Sequence, residues 1–347
     1  MKLLVLGAAD VHRLLPYGEC ADAMRDALVA LARGEVDQPL RTIIRPPAAA
    51  GLMALMPAYL AAGGPGGRGG EGGEAGVSTE QGGAAYGLKA ICIFPGNPAA
   101  GLDSHQGVVL LSSAQTGEPL ALLNASAVTE IRTAAVSAVA TRLLARGEAA
   151  ELAIIGTGVQ ARAHLLAIAA ERPLTSVRVA GRDPAKARRF AEDMRGRTGA
   201  PVTACGSAAE AVAGAGIVVT ATSSAEPVLR REWLAPGAHI NAVGACLPHT
   251  RELDSETMAA AALFTDRRES VLNEAGDYVL AQAEGAVGPG HIRAEIGELL
   301  TGAAPGRSGD AEITVFESLG LAVEDLAAAA LVYRKAAELD TGTWVDF

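Results

Sequence analysis

The run Leu152-Ala153-Ile154-Ile155 passes without a spacer into Gly156-Thr157-Gly158-Val159-Gln160-Ala161, and this junction constrains the fold more than any other stretch. Four consecutive apolar residues read as a strand buried on both faces, as in parallel sheets. The residues after it have the G-x-G-x-x-A spacing of a strand-turn-helix that receives a pyrophosphate. Gly156 permits the tight turn, Gly158 lets backbone N–H groups approach a phosphate, and Ala161 allows close packing of helix on strand. The helix start adds unpaired donors and the positive end of its dipole. Glycine-rich turns of this kind are common and most only reverse the chain, so the surroundings decide. An amphipathic helix over 159–170 and a second strand over 176–180, ending ~20–25 residues beyond the turn, complete a βαβ unit. We therefore read a dinucleotide site with Gly156, Thr157, Gly158, Val159 and Gln160 on its phosphate turn.

From residue 151 strands and helices alternate, with strands expected at 152–155, 176–180, 201–204, 217–220, 239–243, 262–265 and 312–317. This pattern predicts an α/β fold with a Rossmann-type doubly wound parallel sheet, whose ligand lies beyond the carboxyl ends of the strands. Those ends carry Arg182, Thr220, Thr222, Val243, Gly244 and Ser318, which join the cofactor candidates. NAD-specific sites place an acid at the end of the second strand, where it accepts bonds from the ribose 2′-hydroxyl. Here Gly181-Arg182 stands there instead, and an arginine suits a 2′-phosphate. NADPH is the expected preference, with NADH possible through an inward turn of Asp183; the plainer role for Asp183 is an N-cap before Pro184.

At 347 residues the chain has length for two domains, on a prior of ~100–200 residues each. Aromatic residues make up only 3%, so a core built from Ala, Val, Leu and Ile is expected, which suits an α/β protein. The net charge of −10 argues against nucleic-acid and anionic-membrane partners. Cys20, Cys92, Cys205 and Cys246 are scattered, with no C-x-x-C pair and no His at metal-ligand spacing, so free thiols and no metal are expected. The apolar start at 3–6 is too short for a signal peptide, and no run of ~18 apolar residues occurs; a soluble, cytoplasmic protein follows.

The N-terminal part reads as a strand at 3–6, a helix over 17–33 ended by Gly34, strand character over 38–45, and a short strand and turn over 53–59. The glycine-rich stretch 61–85 reads as a surface loop. Strands at 108–112 and 119–123 form a hairpin, and a helix is expected over 128–144. Three cations stand out. Arg41 and Arg45 are spaced to share a strand face, though Arg45, beside Pro46, reads as surface. Lys89 lies in an apolar strand, where an unpaired ammonium is costly; both a functional role and edge-strand protection fit. Arg132 falls near a helix start, where the dipole disfavours cations, so either a bound anion lies close by or the residue is a plain surface arginine.

Several segments together resemble the ornithine cyclodeaminase and mu-crystallin family: Gln38-Pro39-Leu40-Arg41, Met56-Pro57-Ala58-Tyr59, Lys89, Ser104-His105-Gln106, Arg132-Thr133-Ala134-Ala135-Val136-Ser137, the 155–160 turn, His239-Ile240-Asn241-Ala242-Val243-Gly244-Ala245, Arg251-Glu252-Leu253-Asp254, and the 314–320 run followed by Ala322-Val323-Glu324-Asp325. The resemblance implies a second, α+β domain for substrate binding and dimerisation (1–128 with 321–347), a dinucleotide domain (129–320), and a homodimer. It also implies that Arg41, Lys89 and Arg132 surround the carboxylate of a small imino or amino acid.

Members of this family differ in chemistry. Cyclodeaminases such as ornithine cyclodeaminase hold NAD and release ammonia, mu-crystallin-like members reduce cyclic ketimines, and others are alanine or opine-type dehydrogenases. Two carboxylates that the resemblance leads one to expect in cyclodeaminases are replaced here by Ala54 and Cys246. Both would orient an amine and handle protons. The expectation is therefore NAD(P)H-dependent reduction of a cyclic 2-carboxy imine, with Arg41, Lys89 and Arg132 as the residues that act on substrate. The alternatives are a cyclodeaminase, an amino-acid or opine dehydrogenase, and a binding protein without turnover.

Overall fold

The alternation of apolar runs with glycine-ended turns resolves, in a computed structural model describing residues 2–61 and 83–347, into two separate sheets. The strands in chain order are β1 (Lys2–Leu6), β2 (Val36–Asp37), β3 (Thr42–Ile44), β4 (Leu52–Leu60), β5 (Ala85–Ile93), β6 (His105–Ser113) and β7 (Pro119–Asn124), then β8 (Glu151–Ile155), β9 (Ser176–Ala180), β10 (Val202–Ala204), β11 (Ile217–Thr220), β12 (His239–Ala242), β13 (Ala262–Thr265), β14 (Ile292–Glu295) and β15 (Thr314–Glu317), and finally β16 (Thr343–Asp346). The chain divides into one unit of residues 1–132 with 321–347 and another of residues 133–320. The expected division at 128/129 shifts by four residues because the helix Ala125–Leu144 runs through it and the Arg132 side chain bonds to the first unit's Glu324 and Asp325.

The second unit is an all-parallel sheet in the order β10-β9-β8-β11-β12-β15-β13-β14. The order reverses between β8 and β11, which makes that edge of the two strands the switch point where an α/β sheet takes its ligand. Ala153, Ile155, Val218, Ile240, Leu263 and Val315 form its core with the buried Tyr278. β14 was not anticipated: its Ile-Arg-Ala-Glu carries two charges in four residues, which hides it from a search for apolar runs.

In the first unit the sheet order is β16-β1-β7-β6-β5-β4-β2, with β3 paired to β4, and only β1 and β7 run parallel. Along β4, Leu52, Ala54, Met56 and Ala58 are buried and alternate with less buried residues, the period-2 pattern of a sheet covered on one face. The cover is the helix Ala322–Glu338, which packs on β4, β5 and β6 and on the helix Tyr17–Ala32. Gly87 sets how close it comes: a Cβ there would lie 2.9 Å from Leu326.

Several expectations change here. A strand not anticipated, β16, follows the helix Ala322–Glu338 and pairs antiparallel with β1; all four of its residues are exposed, so no burial rhythm marks it. The stretch 38–45 is strand only over Thr42–Ile44, so Arg41 and Arg45 flank β3 and do not share its face. The strand at 53–59 is nine residues long, and the helix expected from 128 begins at Ala125, where the Asn124 side chain accepts from Ala127 N. Of the glycine-rich stretch expected to be a loop, positions 62–82 lie outside the described residues, while Ala85 opens β5. Among the described residues no helix is long and apolar enough to cross a membrane.

Candidate active site

In the second unit the carboxyl ends of β8, β11 and β12 are shaped by two glycines and one buried carboxylate. Gly156 has φ +129°, and a Cβ on it would lie 2.4 Å from the Ala221 carbonyl oxygen, so only glycine turns the chain here. Gly158 caps the helix Val159–Glu171 without any side-chain acceptor, and a Cβ on it would meet nothing within 4 Å. That open, uncapped helix start fits a pyrophosphate, as does the exposed Val159 beside it. Gly181 leaves room for the Thr157 γ-methyl, and Ala161 is fully buried against the sheet.

Glu252 ties the neighbouring strand ends together. Its carboxylate accepts from the Thr220 hydroxyl at 2.9 Å and from the backbone N–H of Thr222 and Gly244, each at 2.6 Å. Thr220 is buried and its hydroxyl is engaged by Glu252, so the structure does not offer that hydroxyl to a ligand. Gly244 is required for the same knot, since a Cβ would lie 2.0 Å from Thr222 O. Val243 N donates to Thr220 O and Ser318 N to Ala242 O, which holds both residues at the strand ends. Arg182 is exposed after β9, and Asp183 caps the helix Pro184–Met194 through Ala185 N at 2.9 Å, which commits its carboxylate there. The Cys246 thiol donates to the Val243 carbonyl.

Behind these ends lie further buried acids. Asp277 accepts from the backbone N–H of Glu252 and Leu253, at 2.7 and 2.8 Å, and burial followed by repulsion from Glu252 lifts its pKa to about 7. Burial also raises Glu252, and it holds Glu317 well above the usual carboxylate range with help from Asp277, Glu252 and Asp266. An acid whose folded pKa exceeds its unfolded value costs nothing below the unfolded value and steadily more as pH approaches the folded one. Stability is therefore expected to fall between ~pH 4 and ~pH 7. Asp277→Asn, which keeps an oxygen for both backbone donors, should flatten that slope in denaturant titrations run across this range; a slope like the parent's would clear Asp277 of the effect.

In the first unit the register Met56-Lys89-Val109 across β4, β5 and β6 turns Lys89 to the face under the final helix. There its Nζ pairs with Asp325 at 2.6 Å. Arg132 donates from Nε to the other oxygen of Asp325 at 3.0 Å and from Nη1 to Glu324 at 2.7 Å. All four side chains are buried. The start of the final helix is fixed from outside by Gln38, whose amide oxygen accepts from Val323 N, and from within by Glu324, which accepts from Leu321 N. Burial, with the charges of Arg132 and Arg41, lowers Lys89 to about 8 against the pull of Asp325, which places Arg41 within electrostatic reach of the cluster. His105 on β6 is held below its ordinary value by burial and then by Lys89 and Arg132, and Cys20 is pushed up by burial.

The cations thus come together, but not as cations without protein partners. Glu324 and Asp325 in the first turn of a helix read in sequence as ordinary dipole complements. Nothing local marks them as the counter-ions of residues roughly 190 to 240 positions away. Glu252 and Gln38 appear in the sequence only within the segments that resemble the family, without roles.

A parallel sheet with a glycine turn at its switch point defines a Rossmann-type dinucleotide fold, and the chain's other unit holds a buried charged cluster. The chain belongs to the ornithine cyclodeaminase/mu-crystallin family, whose model matches residues 76–340. It is 40% identical to the ketimine reductase mu-crystallin of Mus musculus over 300 residues, 86% of this chain and 85% of that one. Its structure resembles the Thermococcus litoralis Δ1-pyrroline-2-carboxylate reductase solved with NADH and L-proline, with TM-score 0.90, 37% identity, and coverage of 98% and 99% of the two chains. It also resembles an archaeal alanine dehydrogenase dimer with bound NAD, with TM-score 0.89, 30% identity and all of both chains covered.

Proposed function

We propose that this protein reduces a cyclic 2-carboxy imine, of the Δ1-pyrroline-2-carboxylate or Δ1-piperideine-2-carboxylate type, to the cyclic amino acid. The observation that carries the reading is the buried Lys89, Arg132, Asp325 and Glu324 cluster in a chain of this family. Relatives named as ketimine and Δ1-pyrroline-2-carboxylate reductases support the substrate class. A guanidinium presents five N–H donors, so Arg132 anchored through Nε and Nη1 can also serve a substrate carboxylate, with Arg41 as the second arm. Fixing the carboxylate fixes the imine carbon. Lys89, whose pKa burial lowers to about 8, would donate the proton to the imine nitrogen. A dinucleotide bound along Gly156, Thr157, Gly158, Val159 and Gln160 would supply the hydride. Cys246, engaged with a carbonyl, and the buried Ala54 offer no carboxylate for an amine, which favours reduction over cyclodeamination.

The test is paired. With NADPH or NADH and either imine, stoichiometric cofactor oxidation with formation of proline or pipecolate is expected. Ammonia release from ornithine without added reductant would make the protein a cyclodeaminase, NAD reduction by alanine alone a dehydrogenase, and no turnover at all a binding protein.

For the cofactor, the reading is an NADPH preference. Arg182 stands exposed where a 2′-phosphate would arrive, and Asp183, capping its helix, is occupied away from a ribose hydroxyl. Arg182→Ala is expected to weaken NADPH by ~10-fold or more while leaving NADH nearly unchanged, on a value of ~1.5–3 kcal/mol for a charge-assisted bond. Equal losses in fluorescence titrations, or a parental preference for NADH, would refute this. The reading further includes a homodimer formed by the open face of the first unit's sheet, where Pro57, Tyr59, Tyr86, Leu88 and Leu110 line an apolar hollow. A cytoplasmic setting suits the four free cysteines.

A further inference from the structure

Asp325 is the centre of the first unit's cluster: one oxygen takes Arg132 Nε at 3.0 Å, the other pairs with Lys89 Nζ at 2.6 Å, and the side chain is 1% exposed. It is delivered to Lys89 by two features that do no chemistry themselves. Gly87, two residues before Lys89 on the same face of β5, lets the final helix approach to the point where a Cβ would touch Leu326. Gln38 accepts from Val323 N and so fixes the first turn that carries Glu324 and Asp325. A structural ion pair alone would be satisfied by Asp325 with either cation; here one carboxylate bridges both residues that the proposed reaction needs.

Resting on the imine-reduction reading, we propose that Asp325 is the positioning residue of the reaction, holding Lys89 as an aimed ammonium and locking it at a fixed spacing from Arg132. In the step it serves, a bound reduced dinucleotide would supply the hydride to the carbon of the C=N bond, and the π pair would go to nitrogen. That nitrogen takes a proton as the Nζ–H bond breaks, leaving neutral Lys89 beside Asp325 until water returns a proton. The groups facing Lys89 decide its charge. Arg132 from the helix Ala125–Leu144 and Arg41 before β3 oppose the ammonium; Asp325 favours it, and the pair is otherwise surrounded by His105 on β6, Cys20 on the helix Tyr17–Ala32, and Glu324. Without the carboxylate of Asp325, burial and two neighbouring cations would leave Lys89 neutral at working pH.

The variant is Asp325→Asn, which keeps an oxygen for Arg132 Nε and turns an amide NH2 toward Lys89 Nζ, removing both the charge and the ammonium's acceptor. Two readouts are needed: the pH profile of kcat/KM with Δ1-pyrroline-2-carboxylate, and the titration of Lys89 followed by NMR in lysine-labelled holoenzyme, assigned with Lys89→Met. The parent is expected to lose activity as pH rises through about 8. In Asp325→Asn both the basic limb and the NMR midpoint should move down by ~1–3 units, the usual effect of losing an adjacent opposite charge. NADPH affinity should stay within twofold by titration, on the order expected for a change outside the dinucleotide turn. Asp325→Glu, which keeps the charge but displaces it, should hold the limb near its parental position and lower kcat more than it raises KM. A uniform loss at every pH with an unmoved midpoint, or equal shifts in both variants, would reduce Asp325 to a structural ion pair. A parent inactive on cyclic imines would sink the functional reading, while the NMR midpoints would still report whether Asp325 governs Lys89.

Discussion

Arg132→Ala is expected to damage this protein twice, in turnover and in folding, and the two losses are separable. Arg132 is 4% exposed and bonded to Glu324 and Asp325, so its removal leaves two buried carboxylates short of their cation. Breaking one side of a buried ion-pair set costs ~3–5 kcal/mol, which should appear as a lower denaturant midpoint. On catalysis, the loss of a charge-assisted bond to the substrate carboxylate is worth ~1.5–3 kcal/mol, or ~10- to 150-fold in kcat/KM. Arg132→Lys keeps the charge and loses the fork, so it should recover much of the stability and little of the rate. Dinucleotide affinity should be nearly unchanged in both, because the turn that would hold the cofactor belongs to the other unit. Unchanged kcat/KM in Arg132→Ala would take the residue out of the site, whatever happened to stability.

The second large effect is expected at the glycine turn, and it distinguishes a dinucleotide site from a mere reversal of the chain. Gly156→Ala forces a Cβ to within 2.4 Å of Ala221 O at φ +129°, so the turn must move. Strain of this kind costs ~1–3 kcal/mol, and both the melting temperature and the affinity for NADPH should drop. Gly158→Ala differs, because a Cβ there meets nothing within 4 Å. The melting temperature of this variant should match the parent's, yet NADPH should bind ~10-fold or more weakly, since the methyl group occupies the approach of the pyrophosphate to the helix start. Parental affinity in Gly158→Ala would show that the turn is structural only.

These expectations draw on different depths of information. The glycine turn was legible because its function is local: strand, φ-permissive glycine and helix start are contiguous in sequence, and the residues that need each other are within six positions. Most of the parallel sheet was legible for the same reason, as its central strands β8, β11, β12, β13 and β15 are short runs buried on both faces. β14 and β16 escaped notice for different reasons: β14 buries Ile292 and Ala294 but alternates them with Arg293 and Glu295, so no apolar run marks it, and the four residues of β16 are all exposed.

The charged cluster lies at the other extreme. Sequence singled out Lys89 by the cost of burying a cation and Arg132 by its place near a helix start, with edge-strand protection and a plain surface arginine as the other readings; the structure buries both. Sequence could not name the partners, because a counter-ion is chosen by proximity in space, and Asp325 reaches both cations only after the final helix returns to the first sheet. Nor could it separate Arg132 from the helix dipole, since three more residues of helix precede it than the pattern suggested. The sequence by itself determined the glycine turn and most of the parallel sheet, which follow from periodicity and local conformational cost, and it marked Lys89 and Arg132 as cations in costly places. Only the tertiary structure decided which carboxylates those cations hold, that Glu252 ties the strand ends, and that Gly87 and Gln38 set the final helix, because each is a contact between segments whose separation along the chain carries no local signal.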